Sequence, residues 1–389
     1  RRRRRHRPMS GPLAGLRVVE MAGIGPGPFC AMLLADMGAD VIRIDRIGGS
    51  DLGVPSTKST DFVARNRRSI ALDLKQPQAI EIVLRLIERA DALVEGFRPK
   101  VMERLGLGPD TCLQRNPRLV YGRMTGFGQE GPLSQAAGHD INYIALTGAL
   151  ASIGERGRKP VPPLNLIGDY GGGSLYLAIG ILAGIVNARA TGQGDVVDAA
   201  MVDGAASLMT IFYSLKASGR WHDERGDNIL DGGAPWYDTY ETRDGLYLTI
   251  GAIEAKFFQE LAQRIGLNGQ DINRQHDREY WPALRAKMIT IFKQRTRDEW
   301  CALLEGTDSC VTPVLTLEEA PHHPHMSERN TFRRSGDHQR PGAAPRFRDA
   351  RARNDRAAQG AASQSDDLLE MCGFAGEEIH SLRQAKIVA

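Results

Sequence analysis

Strand-like and helical patterns alternate through the first two hundred residues. Leu16–Ala22 and Ala39–Asp45 are short β-rich runs separated by a helical pattern that ends at Met37, before Gly38. A strand, a helix and a second strand in this order predict a βαβ unit. The alternation continues, with strands predicted at Ser69–Leu74, Ala92–Glu95, Arg118–Met124 and Asp195–Asp198, and helices at 76–90, 171–190 and 204–215. We therefore predict a large Rossmann-like α/β domain with a parallel, helix-covered sheet.

The pattern changes after a polar, glycine-containing segment at 219–233. Trp236–Glu241 and Leu246–Gly251 alternate apolar and polar residues around a turn at Arg243–Gly245, which predicts an antiparallel hairpin. Helices are predicted at 256–265, 281–294 and 297–305 and a strand at 310–315, and two short closing helices at 366–371 and 376–384. The boundaries follow: a large domain over 9–218, a linker at 219–233 and a smaller α+β domain over 234–328.

The charge is unevenly distributed. The formal net charge is +3, but Arg1–Arg5 and Arg7 form a run before Met9, and the rest of the chain has a slight excess of acidic residues. This argues against a nucleic-acid-binding surface. We expect residues 1–8 to be a disordered arginine-rich leader. The arginine-, alanine- and glycine-rich stretch 350–364 is predicted to be flexible.

Cysteine usage and apolar runs indicate the compartment. The five cysteines are scattered and include no CxxC pair, which is typical of a reduced, intracellular and therefore cytoplasmic protein. The longest apolar run, Leu175–Val186, has 12 residues, fewer than the roughly 20 needed to span a bilayer. We predict a buried helix there and no membrane span.

A glycine-rich turn after the first strand suggests one alternative. Gly23–Pro28 with Asp45 at the end of the second strand is similar to a dinucleotide-binding motif. Pro26 and Pro28 each remove a backbone N–H that a pyrophosphate would otherwise use. NAD binding is therefore disfavoured.

Two stretches hold candidate acid and base groups: Ala137–Tyr143, with His139, and Asn165–Ser174, with Asp169. Histidine can act as a base when neutral and as an acid when charged, whereas an aspartate would need desolvation to donate a proton near neutral pH. Taken alone, a histidine between apolar segments is more often structural, and an aspartate before glycines is more often a helix cap. Spacing alone does not decide between these interpretations.

Several longer motifs resemble a known family over nearly the whole chain from Met9. They are Pro12–Glu20, Leu34–Ile44, Arg65–Ser69 and Tyr121–Pro132. These motifs are similar to the class III (formyl-CoA transferase-like) CoA-transferase family. Three more motifs resemble its racemase branch, namely Gly138–Tyr143, Gly168–Ser174 and Gly251–Glu254.

The resemblance implies interconversion of the 2R and 2S epimers of 2-methyl-branched acyl-CoA thioesters. His139 falls on the family's histidine base and Asp169 on its aspartate, while Glu254 falls on the acid paired with that histidine. The backbone N–H of Asp140 would help to stabilise the enolate. The resemblance implies that no metal or redox cofactor is required, and CoA is part of the substrate.

The resemblance also implies a CoA site and a dimer. The residues that it assigns to CoA are Arg46, Leu72, Asp73, Leu74, Lys75, Gly96, Phe97, Arg98 and Arg104 at the nucleotide end, and Gly138, Ile141, Asn142 and Tyr143 at the thioester end. The family's dimer consists of two interlocked chains, so that Glu254 would act in trans. The return segment 329–389 would complete the large domain, which is then discontinuous.

Two other functions remain open at this point. In a CoA-transferase, Asp169 would attack the thioester and form a mixed anhydride, and His139 would be dispensable. A non-enzymatic acyl-CoA-binding protein is disfavoured because His139, Asp169 and Glu254 are all present.

Overall fold

The computed structural model describes residues 11–49, 60–348 and 364–389. The predicted leader at 1–8 and all but the last residue of the predicted flexible stretch 350–364 lie outside the described residues.

A six-stranded parallel sheet organises the first part of the chain, which confirms the predicted α/β fold. Its strands are β1 Arg17–Met21, β2 Asp40–Arg46, β3 Arg68–Leu72, β4 Ala92–Glu95, β5 Val120–Thr125 and β6 Asp195–Ala200. They lie in the order β3-β2-β1-β4-β5-β6, and all neighbours are parallel. The order reverses beside β1, so the carboxyl ends of β1 and β4 flank a natural ligand crevice.

Helices connect and cover these strands. Their bounds are α1 Pro26–Asp36, α2 Pro77–Ile87, α3 Val101–Arg104, α4 Pro109–Arg115, α5 Asp140–Ala145, α7 Leu175–Thr191 and α8 Met201–Leu208, with a π-helical segment at Leu166–Ser174. Between α5 and this segment in the chain lies α6, Ala149–Ser152, which belongs to a second unit. Successive strand residues face opposite sides of the sheet, and two apolar cores follow from this. Val19 and Ile42 lie in one core, with α2, while Val18 and Val41 lie in the other, with α1 and α7.

Helix α7 continues the π-helical segment, and together they form a 26-residue helix, Leu166–Thr191, which contains an 18-residue window of mean hydropathy 1.5. By length and composition this is the one helix among the described residues that could cross a membrane. Core helices of globular proteins share these properties, and here Leu177, Ile181 and Ile185 are buried in the core beside β5. The opposite face of α7 is exposed at Leu175, Ile179 and Val186.

A second compact unit comprises 148–163 and 209–329. Its antiparallel sheet contains β7 Tyr237–Glu241, β8 Tyr247–Gly251 and β9 Val311–Pro313. Its helices are α6, α9 Thr210–Ala217, α10 Ala255–Ile265, α11 Gly269–Asn273, α12 Trp281–Phe292, α13 Arg297–Leu304 and α14 Pro324–Glu328. Its core is separate and aromatic, with Trp236, Phe258 and Phe292 almost fully buried.

The contacts within this unit include segments that the sequence prediction assigned elsewhere. Residues 148–163 and 209–218 were predicted within the large domain, and 219–233 as a linker. Asn228, which is 1% exposed, donates from its side chain to the backbone carbonyls of His222 and Glu224, so this stretch is folded.

The C-terminal residues belong to the first unit, whose described residues fall within 1–147, 164–208 and 330–389. A hairpin of β10 Phe332–Ser335 and β11 His338–Pro341 precedes α15 Ser365–Met371 and α16 Gly376–Gln384. Leu368, Ile379 and Val388 pack into the same core as Leu72.

Candidate active site

Asp169 lies in the first turn of the π-helical segment Leu166–Ser174. π-Helical turns are rare and occur frequently at functional sites. Glycine makes this turn possible, because Gly172 and Gly204 bring two backbones together. A Cβ on Gly204 would lie 1.8 Å from the carbonyl oxygen of Gly172. The glycines after Asp169 thus allow α8 to pack directly against the turn.

Asp140 supports the backbone that carries Asp169. Its Oδ2 atom accepts hydrogen bonds from the backbone N–H groups of Gly168 at 2.6 Å and Asp169 at 2.8 Å. Asp140 is 4% exposed, and its Oδ1 atom is buried with no hydrogen-bond partner among the described residues. The Asp140 side chain therefore positions the π-helical turn.

The Asp169 carboxyl group is half-buried, and its pKa is raised above the ordinary value. Burial is the largest cause; the charge of Asp140 adds to it, whereas the Asn165 side chain and His139 act in the opposite direction. Asn165 donates to Asp169 Oδ2 at 3.0 Å. A raised pKa lets a carboxylic acid keep a proton closer to neutral pH.

His139 is exposed and immediately precedes α5 as its N-cap. Its backbone N–H donates to Asn142 Oδ1 at 3.0 Å, so Asn142 fixes the His139 backbone. Among the described residues, the next backbone N–H, that of Asp140, makes no hydrogen bond and is free to donate. His139 therefore caps α5, and the free backbone N–H of Asp140 follows it directly in the chain.

His139 and Asp169 line one cavity of about 460 Å³. The predicted residues Gly96, Phe97, Arg98, Gly138 and Tyr143 also line it. Tyr143 donates its hydroxyl hydrogen to the Gly138 carbonyl, and burial raises its pKa to about 12. A Cβ on Gly138 would lie 2.9 Å from the Tyr143 ring, so this glycine makes room for the tyrosine.

A second cavity of about 600 Å³ adjoins the first, because Met21 and Phe97 line both. Its wall includes the predicted Arg46 and Leu72–Lys75. The floor is apolar, with Ile44 and Leu72 almost fully buried, whereas Arg46 and Lys75 are exposed at the edge. An apolar floor with cations at its edge can hold an aromatic base that carries phosphates.

Some predicted residues lie outside both cavity walls. Arg104 is exposed on α3, Ile141 and Asn142 are exposed on α5, and none of the three lines either cavity. Their assignments to CoA remain predictions.

Glu254 lies in the second unit, where it is exposed and forms the N-cap of α10. Its backbone is well fixed, since the Gln275 side chain donates to the carbonyls of Ala252 at 3.1 Å and Ile253 at 2.9 Å. Gln275 is itself 3% exposed. Glu254 thus extends from a rigid turn.

Several residues of the site were not predicted from the sequence. Gly25, with φ 67°, lies beside Asp169, because a Cβ there would come within 3.3 Å of Asp169 Oδ2. The whole turn Gly23–Pro28 lines the His139 cavity. Ser174 is fully buried, with its hydroxyl 2.8 Å from the Pro26 carbonyl oxygen and 3.0 Å from that of Asp169. The glycines and prolines of this turn were the available signal, but they were considered only for NAD.

Within the described ranges, no group of three or more His, Cys, Asp or Glu side chains is placed to hold a metal ion. All five cysteines are free thiols.

Comparison with known proteins identifies the family. The model of CoA-transferase family III matches residues 13–361. The chain belongs to this family. A mouse protein named alpha-methylacyl-CoA racemase is 45% identical over 379 residues, which cover 97% of each chain. Its human counterpart of the same name is 43% identical over 378 residues, again covering 97% of each.

A solved structure has a similar fold. The crystal structure of a CaiB/BaiF family protein from Brucella suis matches with a TM-score of 0.80 at 26% identity. The match covers 93% of this chain and 99% of that one. The stretch that matches CoA-transferase family III includes His139, Asp169 and Glu254.

Proposed function

We propose that the chain is a racemase that interconverts the 2R and 2S epimers of 2-methylacyl-CoA thioesters. The observation that carries this proposal is that His139 and Asp169 line one cavity, and that the Asp169 pKa is raised. Epimerisation needs one group to take the C2 proton and another to return a proton to the opposite face. The mouse and human proteins that match 97% of this chain carry the name of this activity.

The reaction needs both groups in complementary protonation states. Neutral His139 takes the C2 proton, the electron pair of the C–H bond forms a double bond between C1 and C2, and the carbonyl π electrons move to the thioester oxygen to give an enolate. The free Asp140 N–H donates to that oxygen and lowers the energy of the developing charge. Protonated Asp169 then delivers its proton to the other face of C2. The reverse direction exchanges the two roles.

The raised Asp169 pKa serves this mechanism. An aspartate at its ordinary pKa is almost fully ionised at neutral pH and holds no proton to donate. Burial and the nearby Asp140 charge increase the protonated fraction. We propose that these groups suffice without a metal or redox cofactor.

The two cavities divide the substrate between them. The adenosine phosphates occupy the cavity lined by Arg46 and Lys75. The rest of the substrate extends past Phe97, which lines both cavities, and brings the thioester to His139. Arg98, which lines the cavity of His139, adds positive charge along this route.

We propose a homodimer of interlocked chains in which Glu254 acts in trans on His139. The exposed apolar face of α7, at Leu175, Ile179 and Val186, supports a partner surface on the first unit. A carboxylate beside the histidine would orient its ring and raise its basicity. We also propose a cytoplasmic location, supported by the free thiols, and a role in fatty acid and lipid metabolism, supported by the proposed substrate class.

The test follows the C2 hydrogen. The protein is incubated in deuterated water with one epimer of a 2-methylacyl-CoA, and we expect epimerisation with deuterium incorporated at C2. His139→Ala should slow incorporation by at least about 100-fold, as is usual for loss of an acid or base group. Transfer of CoA to an added carboxylate without exchange would contradict the racemase and favour an Asp169 anhydride.

A further inference from the structure

The last residues of the chain return to the edge of the parallel sheet. Val388 forms an antiparallel bridge with Leu72 on the edge strand β3. The Asp73 N–H donates to the Ile387 carbonyl at 3.0 Å, and the Ala389 N–H donates to the Ala71 carbonyl at 3.2 Å. We call residues 386–389 the C-terminal tail. It runs beside the strand end that leads into Asp73 and Lys75.

The tail is anchored on both sides of Lys386. Ile387 is 5% exposed and Val388 is 3% exposed, in the core that also contains Leu72. On the other side, the Lys386 N–H donates to the Arg383 carbonyl at 3.0 Å. Lys386 itself has φ 56°, a left-handed conformation that costs energy for a residue with a Cβ. The surrounding contacts hold the lysine in this conformation.

The Lys386 side chain lines the 600 Å³ cavity with Arg46 and Lys75. The three cations come from three separate segments: the end of β2, the loop after β3, and the tail. All three are exposed, and none has a hydrogen-bonded or ion-paired side chain within the part of the chain that the structure describes. The acids in this wall are already engaged, since Asp45 pairs with Arg43 and Asp73 accepts from the Lys75 N–H.

We propose that Lys386 is a third cation that binds a phosphate group at the nucleotide end of CoA. This inference rests on the proposed function, since it takes the substrate to be an acyl-CoA. Phosphate monoesters and pyrophosphates are strongly charged, and charge-assisted contacts from converging cations hold them well. The tail thereby makes substrate affinity depend on residues 386–389, whereas the reacting atoms lie in the neighbouring cavity.

Steady-state kinetics of Lys386→Gln test the proposal. We expect the KM for acyl-CoA to rise about 5- to 20-fold, with kcat within about twofold of wild type, since the lost contact acts on binding. Lys386→Arg should restore most of the affinity. Arg118→Gln is the matched control, because Arg118 is exposed, lines neither cavity and carries the same charge. Its KM should equal that of the wild type.

Truncated substrates identify the phosphate. A rise in KM with acyl-CoA but not with the 3′-dephospho thioester assigns Lys386 to the 3′-phosphate. A rise with both assigns it to the pyrophosphate, and either result supports the proposal. An equal rise with a pantetheine thioester, which has no nucleotide, would overturn it, as would an unchanged KM for acyl-CoA.

A binding measurement separates this proposal from the proposed function. Calorimetric titration with adenosine 3′,5′-bisphosphate needs no turnover, and we expect Lys386→Gln to bind this probe about 5-fold or more weakly than Arg118→Gln. Weakened binding in a protein without racemase activity would retain the tail site and reject the function. Unchanged binding in an active racemase would reject the tail site alone.

Discussion

At the scale of single residues, the raised pKa of Asp169 favours catalysis but lowers the stability of the fold. Burial and the Asp140 charge favour the protonated acid that the reaction needs, and they destabilise the folded protein wherever Asp169 is ionised. Active sites often sacrifice stability in this way. The conflict can be measured.

Asp169→Asn should abolish racemisation and stabilise the fold at neutral pH. Because the folded-state pKa is raised, the folded protein binds more protons than the unfolded chain between the ordinary and the raised pKa. The free energy of unfolding of the wild type therefore falls as pH rises through this window. Asparagine has no such loss, so the variant's advantage in melting temperature should grow with pH and vanish below the ordinary pKa of aspartate. Thermal unfolding across pH measures it.

The exposed Asp367 provides the comparison for this series. Asp367→Asn should keep full activity and show a melting-temperature difference that does not grow through the same pH window. If Asp169→Asn behaved like this control, burial of the Asp169 charge would not be a cost to the fold.

Asp140 is predicted to matter for stability as well as for geometry. Asp140→Ala would leave the buried N–H groups of Gly168 and Asp169 without an acceptor, at about 1–3 kcal/mol each. Asp140→Asn keeps one acceptor oxygen and should lose less. The free energy of unfolding, measured with urea, and kcat should both decrease from the wild type to Asp140→Asn and further to Asp140→Ala. Wild-type stability in the alanine variant would exclude the positioning role of the carboxylate.

At the scale of elements, the π-helical segment and α8 depend on each other through glycine. Gly204→Ala would place a methyl group against the Gly172 carbonyl oxygen, and backbone cannot move aside as a side chain can. We expect a loss of about 2 kcal/mol or more, together with lower kcat because the turn carries Asp169. Chemical unfolding and exchange of the C2 hydrogen measure the two effects.

Gly376→Ala is the control for this substitution. It makes the same chemical change in the same unit, but nothing lies within 4 Å of the added Cβ. It should be neutral or slightly stabilising. Equal effects of the two substitutions would mean that close packing of Gly204 is unimportant.

The strands and long helices could be predicted because their signals are local. Two strands were predicted from the β-branched side chains of Val18, Val19, Val41 and Ile42 alone, and both strands lie in one sheet. The π-helical turn had no such signal, since its glycines fit an ordinary helix start equally well. Its shape depends on contacts with Asp140 and Gly204, which are distant in the sequence and which no local signal pairs with the turn.

Other parts depend on contacts that a single sequence does not reveal. Val388 pairs with Leu72 across more than three hundred residues, so the position of Lys386 beside Lys75 could not be predicted. No signal in the sequence of residues 148–163 shows which unit they pack against, and their contacts belong to the second unit. Part of the cavity at His139 was predicted, because the motif resemblance assigned roles to His139 and Asp169. Their spacing in the sequence alone did not distinguish catalytic from structural roles.

At the scale of the whole molecule, the apolar face of α7 and the position of Glu254 both bear on whether two chains form a dimer. Leu175, Ile179 and Val186 repeat along one side of the helix and are 46%, 63% and 69% exposed. Burial against a second chain would remove this surface from water, which is the usual driving force for stable association. An interlocked dimer would also allow Glu254 of one chain to complete the site of the other.

Complementation between two inactive variants tests this assembly. His139→Ala and Glu254→Ala should each be inactive alone. If Glu254 acts in trans, a heterodimer of the two variants holds one intact site and one doubly defective site. Random pairing of coexpressed chains should then restore about one quarter of the wild-type activity per chain, since half of the dimers are mixed. Action within one chain leaves every site defective, so the absence of recovery in verified heterodimers would show that Glu254 serves the His139 of its own chain.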